Sequence, residues 1–254
     1  GREVRPAVKD SVFELAKQHR FFHWHLAFRE VMAQGGFDVV LGNPSWERIK
    51  LQEQEFFATR SRWIAEAPNA AERARRIQAL KKPDAPKADT ALYRAYQEAL
   101  HEAEAASAFI RKGGRFPLTG VGDVNTYAVF AETFLHLISK RGRAGFIVPT
   151  GIATDNTTRG FFSYLVDKNQ LVSLYSFENE EFIFPSVHHS FRFCLLTLGG
   201  LSLRTKHAEY CFFLRRPSGL SEPRRRFFLN SEAITLINPK IGRASCRERV
   251  YACV

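Results

Sequence analysis

Sulfur is scarce in this chain, which has four cysteines and one methionine among 254 residues. Cys246 and Cys253 lie in the closing segment 241–254, while Cys194 and Cys211 sit in apolar, strand-like stretches without Cys-x-x-Cys spacing. That pattern argues against a disulfide framework or a cysteine zinc site and suits a reducing cytoplasm. No apolar run reaches the ~20 residues that cross a bilayer, and no secretory leader is visible. A phosphate-cradling loop is missing too: Lys112-Gly113-Gly114-Arg115 and Gly120-Val121-Gly122 lack the Gly-Lys-Ser/Thr ending of a P-loop and read as turns. Acidic side chains are outnumbered, 26 against 37 Lys and Arg, for a formal net charge of +11. Such an excess favours a polyanionic partner, because counterions are released when lysines and arginines meet phosphates.

Both ends carry expectations of their own. The chain opens on Gly1 and its single methionine is Met32, so it reads as part of a longer product. Ile241-Gly242-Arg243-Ala244-Ser245-Cys246-Arg247-Glu248-Arg249-Val250 resembles the translation of a sequencing-adapter oligonucleotide, and 241–254 is set aside as a non-native tail. Removing its three arginines and one glutamate takes the net charge from +11 to +9.

What is present reads as α/β with a helical interruption. Residues 37–41 form a continuous apolar run, as in a buried parallel strand. Ala128, Phe130, Ala131, Phe134, Leu135 and Ile138 recur at helical spacing within 125–139, with Asp123 or Asn125 to cap the helix and Gly142 to end it. A strand over 144–148 stops at Pro149, Asp155 or Thr157 caps a helix to about Val166, and 171–177 and 193–198 read as two more strands. Between them, residues 50–120 are rich in Ala, Glu, Arg and Lys and read as two or three helices broken near Pro83 and Pro86.

The chemistry concentrates in Val39-Val40-Leu41-Gly42-Asn43-Pro44-Ser45-Trp46, where an apolar strand runs into an amide, a proline and an indole. The N6 of adenine is a poor nucleophile because its lone pair is delocalised into the ring. The Asn43 side-chain oxygen and the Pro44 carbonyl suit the localisation of that lone pair, since acceptors placed where positive charge develops stabilise a transition state. Trp46 offers a face for a base extruded from a duplex.

At this point the sequence resembles a known family. Asn43-Pro44-Ser45-Trp46 is similar to the Asn-Pro-Pro-aromatic motif of N6-adenine DNA methyltransferases, and Phe22-His23-Trp24-His25, Gly36-Phe37-Asp38, Trp46-Glu47-Arg48-Ile49-Lys50 and Gly122-Asp123-Val124-Asn125-Thr126-Tyr127 resemble its large single-chain members. These include methyltransferases of type IIG restriction-modification and related phage-exclusion systems, and the likeness runs from about Phe21 to Leu198. Ser45 departs from the family's second proline, which frees one backbone φ and adds a hydroxyl beside the base pocket.

The resemblance implies the C-terminal half of a Rossmann-like, S-adenosylmethionine-dependent methyltransferase sheet with a helical insertion. The cofactor's glycine loop is expected upstream, because residues 1–36 are too few for three strand-helix units. It divides the chain into 1–49 with the motif strand, the insertion 50–120, the rest of the α/β domain at 121–240 and the tail. It also implies catalysis by Asn43, Pro44 and Trp46, a base pocket with Ser45 and Phe184, and S-adenosyl-L-methionine as cofactor near Asp123, Asn125 and Tyr127. Phe191 or Phe193 could take the place of Phe184, and the Asp123-to-Tyr127 residues equally suit helix capping and packing.

Double-stranded DNA is the implied partner, in a prokaryotic cytoplasm. Arg48, Lys50, Arg73, Arg75, Arg76, Lys81 and Lys82 would contact phosphates from a lid beside the pocket; a solvated helical face is the plainer account of the insertion's charges. His23 and His25 could share a strand face, but no third ligand accompanies them and methyl transfer requires no metal. His188-His189 reads as a solvated loop. Protein-glutamine and cytosine-N4 methylation use similar logic, and a decayed DNA-binding protein is a further alternative.

Overall fold

The structure is a computed structural model and describes residues 5–82, 87 and 89–237. Pro83, Pro86 and the segment 241–254 lie outside the described residues. Chain order begins with α1 (Pro6–His19), α2 (Trp24–Ala27), α3 (Arg29–Ala33) and β1 (Phe37–Gly42). The insertion holds α4 (Glu53–Ala58), α5 (Arg62–Ala65), α6 (Ala70–Lys81) and α7 (Thr90–Lys112). Next come α8 (Thr126–Leu137), β2 (Ile138–Pro149), α9 (Gly151–Thr154), α10 (Arg159–Asp167), β3 (Leu171–Glu178) and β4 (Arg192–Gly199). The described chain closes with β5 (Ala208–Leu214), β6 (Phe227–Leu229) and α11 (Ser231–Ile237).

One six-stranded mixed sheet, in the order β1-β2-β4-β3-β5-β6, organises the molecule as an α/β protein. β1 and β2 pair in parallel, as do β3 and β5, while β4 pairs antiparallel with both β2 and β3. The chain therefore skips one position after β2, lays down β3, and doubles back to fill the gap. Four strands, β1, β2, β3 and β5, point the same way, so their carboxyl ends share one edge. In open α/β sheets that edge is where ligands collect.

Packing follows from apolar periodicity. Ala131, Phe134, Phe146, Val148, Phe161, Leu165, Leu196 and Leu198 belong to one buried cluster between the sheet and α8 and α10. The insertion has its own cluster of Phe57, Ile64, Ile77, Leu80 and Tyr96. Its two longer helices start at sequence-encoded caps: Asn69 Oδ1 accepts from the Glu72 amide at 2.8 Å, and Asp89 Oδ1 from the Leu92 amide at 2.9 Å. Each satisfies an amide that a helix start leaves without a partner. Within that cluster, burial and a hydrogen bond to Glu53 push the Tyr96 phenol up to about 12.

Several local expectations are corrected. The 37–41 strand forms, but as the sheet edge, paired on one side only, so Val39 and Leu41 remain 61% and 78% exposed. The helix over 126–137 passes straight into β2, and Gly142, expected to end it, lies inside that strand. A Cβ there would meet the Phe37 carbonyl oxygen at 2.4 Å, so the residue is kept small by the neighbouring strand. Thr158, rather than Asp155 or Thr157, precedes α10, and its hydroxyl donates to the Gly151 carbonyl at 2.6 Å. His25 lies in α2 with His23 just before it, so the two share no strand face. Gly36 turns the chain into β1 at φ +117°, where a Cβ would come within 2.5 Å of the Leu137 oxygen.

Candidate active site at the carboxyl edge of the sheet

Asn43 follows β1 directly at the carboxyl edge and is exposed, while Pro44 is buried and Trp46 half-buried. Among the described residues, no hydrogen bond reaches the Asn43 carboxamide or the Pro44 carbonyl. The Trp46 indole Nε1 donates to the Ile147 carbonyl at 3.3 Å, which ties the loop to β2.

Around the indole lies an aromatic set. Phe184 meets it edge-on at 6.3 Å, Phe191 stacks at 5.8 Å with planes 14° apart, and Phe193 lies tilted at 6.4 Å. All three sequence alternatives for the pocket aromatic therefore converge on Trp46. Phe184 comes from the loop after β3, and that loop is built on Asn179, a fully buried carboxamide. Its Nδ2 donates to the Phe184 and Val187 carbonyls at 3.0 and 2.8 Å, and its Oδ1 accepts from the Phe184 amide at 2.9 Å. Sequence reading missed Asn179, since nothing in Glu178-Asn179-Glu180 marks a buried amide.

The 123–127 segment packs against the motif loop. Asp123 is exposed and pairs with Arg48 at 3.7 Å, and Asn125 forms an isolated antiparallel bridge with Arg48. Asn125 precedes α8 without a side-chain cap bond. Tyr127 lies in the core, with its hydroxyl near Gly151 and Asp155, and burial pushes its phenol up. That burial suits the packing alternative for Tyr127. Thr126, which the sequence reading passed over, makes the closest contacts to the motif loop, through Ser45 and Glu47.

The basic residues divide. Arg73 and Arg76 are only 13% and 19% exposed, which corrects their assignment to a phosphate-facing surface. Arg76 bonds Glu72 and the Trp63 carbonyl and stacks on the Trp63 ring, while Arg73 faces Glu53 at 3.8 Å. Arg75 is exposed but doubly bonded to Glu72, and the bonds from Arg75 and then Arg76 hold the Glu72 carboxyl down at about 2. Lys50, Lys81 and Lys82 are exposed. A cleft of about 450 Å³ is lined mainly by insertion residues, among them Lys50, Gln52, Glu53, Arg73 and Arg111, with Asp123 beside them.

Cys194 and Cys211 are buried free thiols, and burial raises both. Among the described residues, no cluster of His, Cys, Asp and Glu could hold a metal, and no helix is long and apolar enough to cross a membrane.

The segment that carries β1, the motif and α4 to α6 has a recognisable likeness. Residues 3–83 match the Eco57I restriction-modification methylase family. No curated protein matches the chain. Among solved structures, the type I restriction-modification methyltransferase subunit from Streptococcus thermophilus is similar at 13% identity, with a TM-score of 0.41 over 54% of this chain and 33% of that one. The DrdV–DNA complex gives 13% identity and a TM-score of 0.36 over 76% of this chain and 17% of that one. The type IIG restriction endonuclease BpuSI gives 16% identity and 0.32 over 62% and 16%. The chain thus spans about a third of the length of the Streptococcus subunit.

Proposed function

We propose that this chain carries the target-base half of a DNA methyltransferase that modifies adenine at N6 within a restriction-modification or phage-defence system. The match of residues 3–83 to restriction-modification methylases supports the class. One observation carries the finer reading: Asn43 and the Pro44 carbonyl have no partner among the described residues and sit beside an indole ringed by Phe184, Phe191 and Phe193.

In this reading an adenine leaves the duplex and stacks in the Trp46–Phe184 pocket, with Ser45 at its rim. Its amino protons are donated to Asn43 Oδ1 and the Pro44 oxygen, which draws the nitrogen lone pair out of the ring and aims it. Orientation and polarisation carry much of the burden for such a reaction. S-adenosyl-L-methionine supplies the activated methyl group. The described residues fit a partial cofactor surface: Asp123 and half-buried Asn125 present polar groups next to the motif loop, whereas Tyr127 does not. Lys50, Lys81 and Lys82, with Arg48 and Arg75 after exchange of their carboxylate partners, contact duplex phosphates, which position DNA without reading its sequence.

The test is transfer of labelled methyl, by a full-length protein that carries this segment, to genomic duplex DNA and to a glutamine-containing peptide, followed by nucleoside analysis. N6-methyladenine as the labelled product supports the proposal. Label on cytosine N4 or on the peptide amide refutes it.

A further inference from the structure

A proline at position 45 would fix one backbone dihedral of the motif loop at φ near −65°. Ser45 does not, yet this loop must present the Asn43 and Pro44 acceptors at a fixed angle. From the geometry we infer that Thr126 supplies the missing restraint from outside the motif, as a positioning residue that compensates for Ser45. The inference rests on the proposed role of the motif loop.

The hydrogen bonds are specific. Thr126 Oγ1 accepts from the Glu47 amide at 3.0 Å and donates to the Ser45 carbonyl at 2.7 Å, with the Glu47 carbonyl a longer alternative at 3.1 Å. A hydroxyl has one proton, and the shorter distance directs it to Ser45. The Thr126 amide donates to the Glu47 carbonyl at 2.8 Å, and the Ile49 amide to the Val124 carbonyl at 3.0 Å. A short antiparallel ladder therefore runs beside the motif, and the hydroxyl extends it two residues, from Glu47 to Ser45, toward Asn43.

Two consequences follow. The Ser45–Trp46 peptide plane is fixed from its carbonyl side, which sets both the direction in which Trp46 leaves and the orientation of the preceding Pro44 unit. The Ser45 carbonyl is also consumed, so it does not compete with the Pro44 carbonyl for a substrate amine. Thr126 begins α8, whose Ala131, Phe134 and Leu135 are anchored in the core, so the restraint is referred to a rigid element. The Ser45 amide makes no backbone hydrogen bond, so a proline there would remove none.

The experiment compares Thr126→Val, Thr126→Ser and the double variant Ser45→Pro/Thr126→Val with wild type, each in a full-length protein that carries this segment, reading labelled-methyl transfer and amide hydrogen exchange at Glu47. Thr126→Val lowers kcat by about ten- to a hundredfold with KM for DNA within about threefold, as expected when the reacting groups are misaligned while substrate binding is retained. It also speeds Glu47 exchange by about tenfold, the equivalent of one hydrogen bond. Thr126→Ser restores both, and Ser45→Pro restores most of kcat in the Val background without restoring exchange protection. Equal kcat loss in the Ser and Val variants, or no gain from Ser45→Pro, overturns the inference. If wild type transfers no methyl at all, the proposed function fails, and the exchange readout alone decides the clamp: unchanged Glu47 exchange in Thr126→Val refutes it.

Discussion

Trp46 and Ile147 are joined by a single hydrogen bond, indole Nε1 to carbonyl oxygen at 3.3 Å, that fastens the loop after β1 to β2. Because Phe191 stacks on the same ring at 5.8 Å and Phe184 and Phe193 also meet it, the indole is held by one polar and three aromatic contacts. Its position is therefore set before any base arrives. Trp46→Phe keeps a stacking ring and loses only the polar tie, so methyl transfer stays within about fivefold of wild type. Trp46→Ala removes the platform, and because base–aromatic stacking contributes ~1–3 kcal/mol, activity falls about ten- to a hundredfold. Steady-state methyl transfer with both variants checks the ordering.

Asn179 gives a prediction about stability. Asn179→Ala removes a fully buried carboxamide that makes three hydrogen bonds, and it leaves the Phe184 amide and the Val187 carbonyl without that partner, while the Phe184 carbonyl keeps the Val187 amide. The expected loss is about 2–4 kcal/mol of unfolding free energy, as several unsatisfied buried groups add to the cavity. Urea unfolding measures it, and an unchanged midpoint would show that the loop stands without its amide.

Glu132 predicts a pH dependence. Its carboxyl is fully buried, and burial alone would raise it. The His136 ring at 3.8 Å and bonds from the Thr119 hydroxyl and from the Leu118 and Thr119 amides outweigh burial and hold it below the ordinary carboxylate range. A carboxyl lowered on folding contributes stability that is complete above its unfolded value, about 4.3, and is lost as pH falls through the lower folded value. Thermal unfolding of wild type should therefore weaken below about pH 4.3 more steeply than that of Glu132→Gln. Parallel acid limbs for the two proteins would contradict the assignment.

The insertion arginines separate structure from DNA binding. Arg76→Ala loses a bond to Glu72, one to the Trp63 carbonyl and a cation–ring interaction, all part-buried, and should cost about 1–3 kcal/mol. It should leave the salt dependence of DNA binding unchanged. Lys50→Ala and Lys82→Ala should do the reverse: little change in stability, and a log–log salt slope shallower by about one for each phosphate that no longer meets a lysine.

Legibility from sequence followed how local the signal was. The 171–177 and 193–198 runs became β3 and β4 within a residue of their expected ends, and the 125–139 periodicity became α8, because apolar spacing encodes the buried face directly. The exposure of Val39 and Leu41 was not legible, since strand burial depends on which neighbours complete the sheet. Arg73 and Arg76 looked like phosphate ligands in a charge run, yet Glu53, distant in sequence, draws Arg73 inward, and Glu72, four residues before Arg76, together with the Trp63 carbonyl draws Arg76 inward. The motif itself could be read, whereas its supports, Thr126 and Asn179, act through partners that leave no local pattern in the sequence.

Labelled-methyl transfer to duplex DNA by a full-length protein that carries this segment, as wild type and as Asn43→Ala, tests the central claim most directly. Loss of an oriented acceptor at the reacting nitrogen should lower kcat by about a hundredfold or more while DNA binding persists. Transfer by Asn43→Ala at the wild-type rate would show that the carboxamide beside Trp46 does not hold the methylated amine.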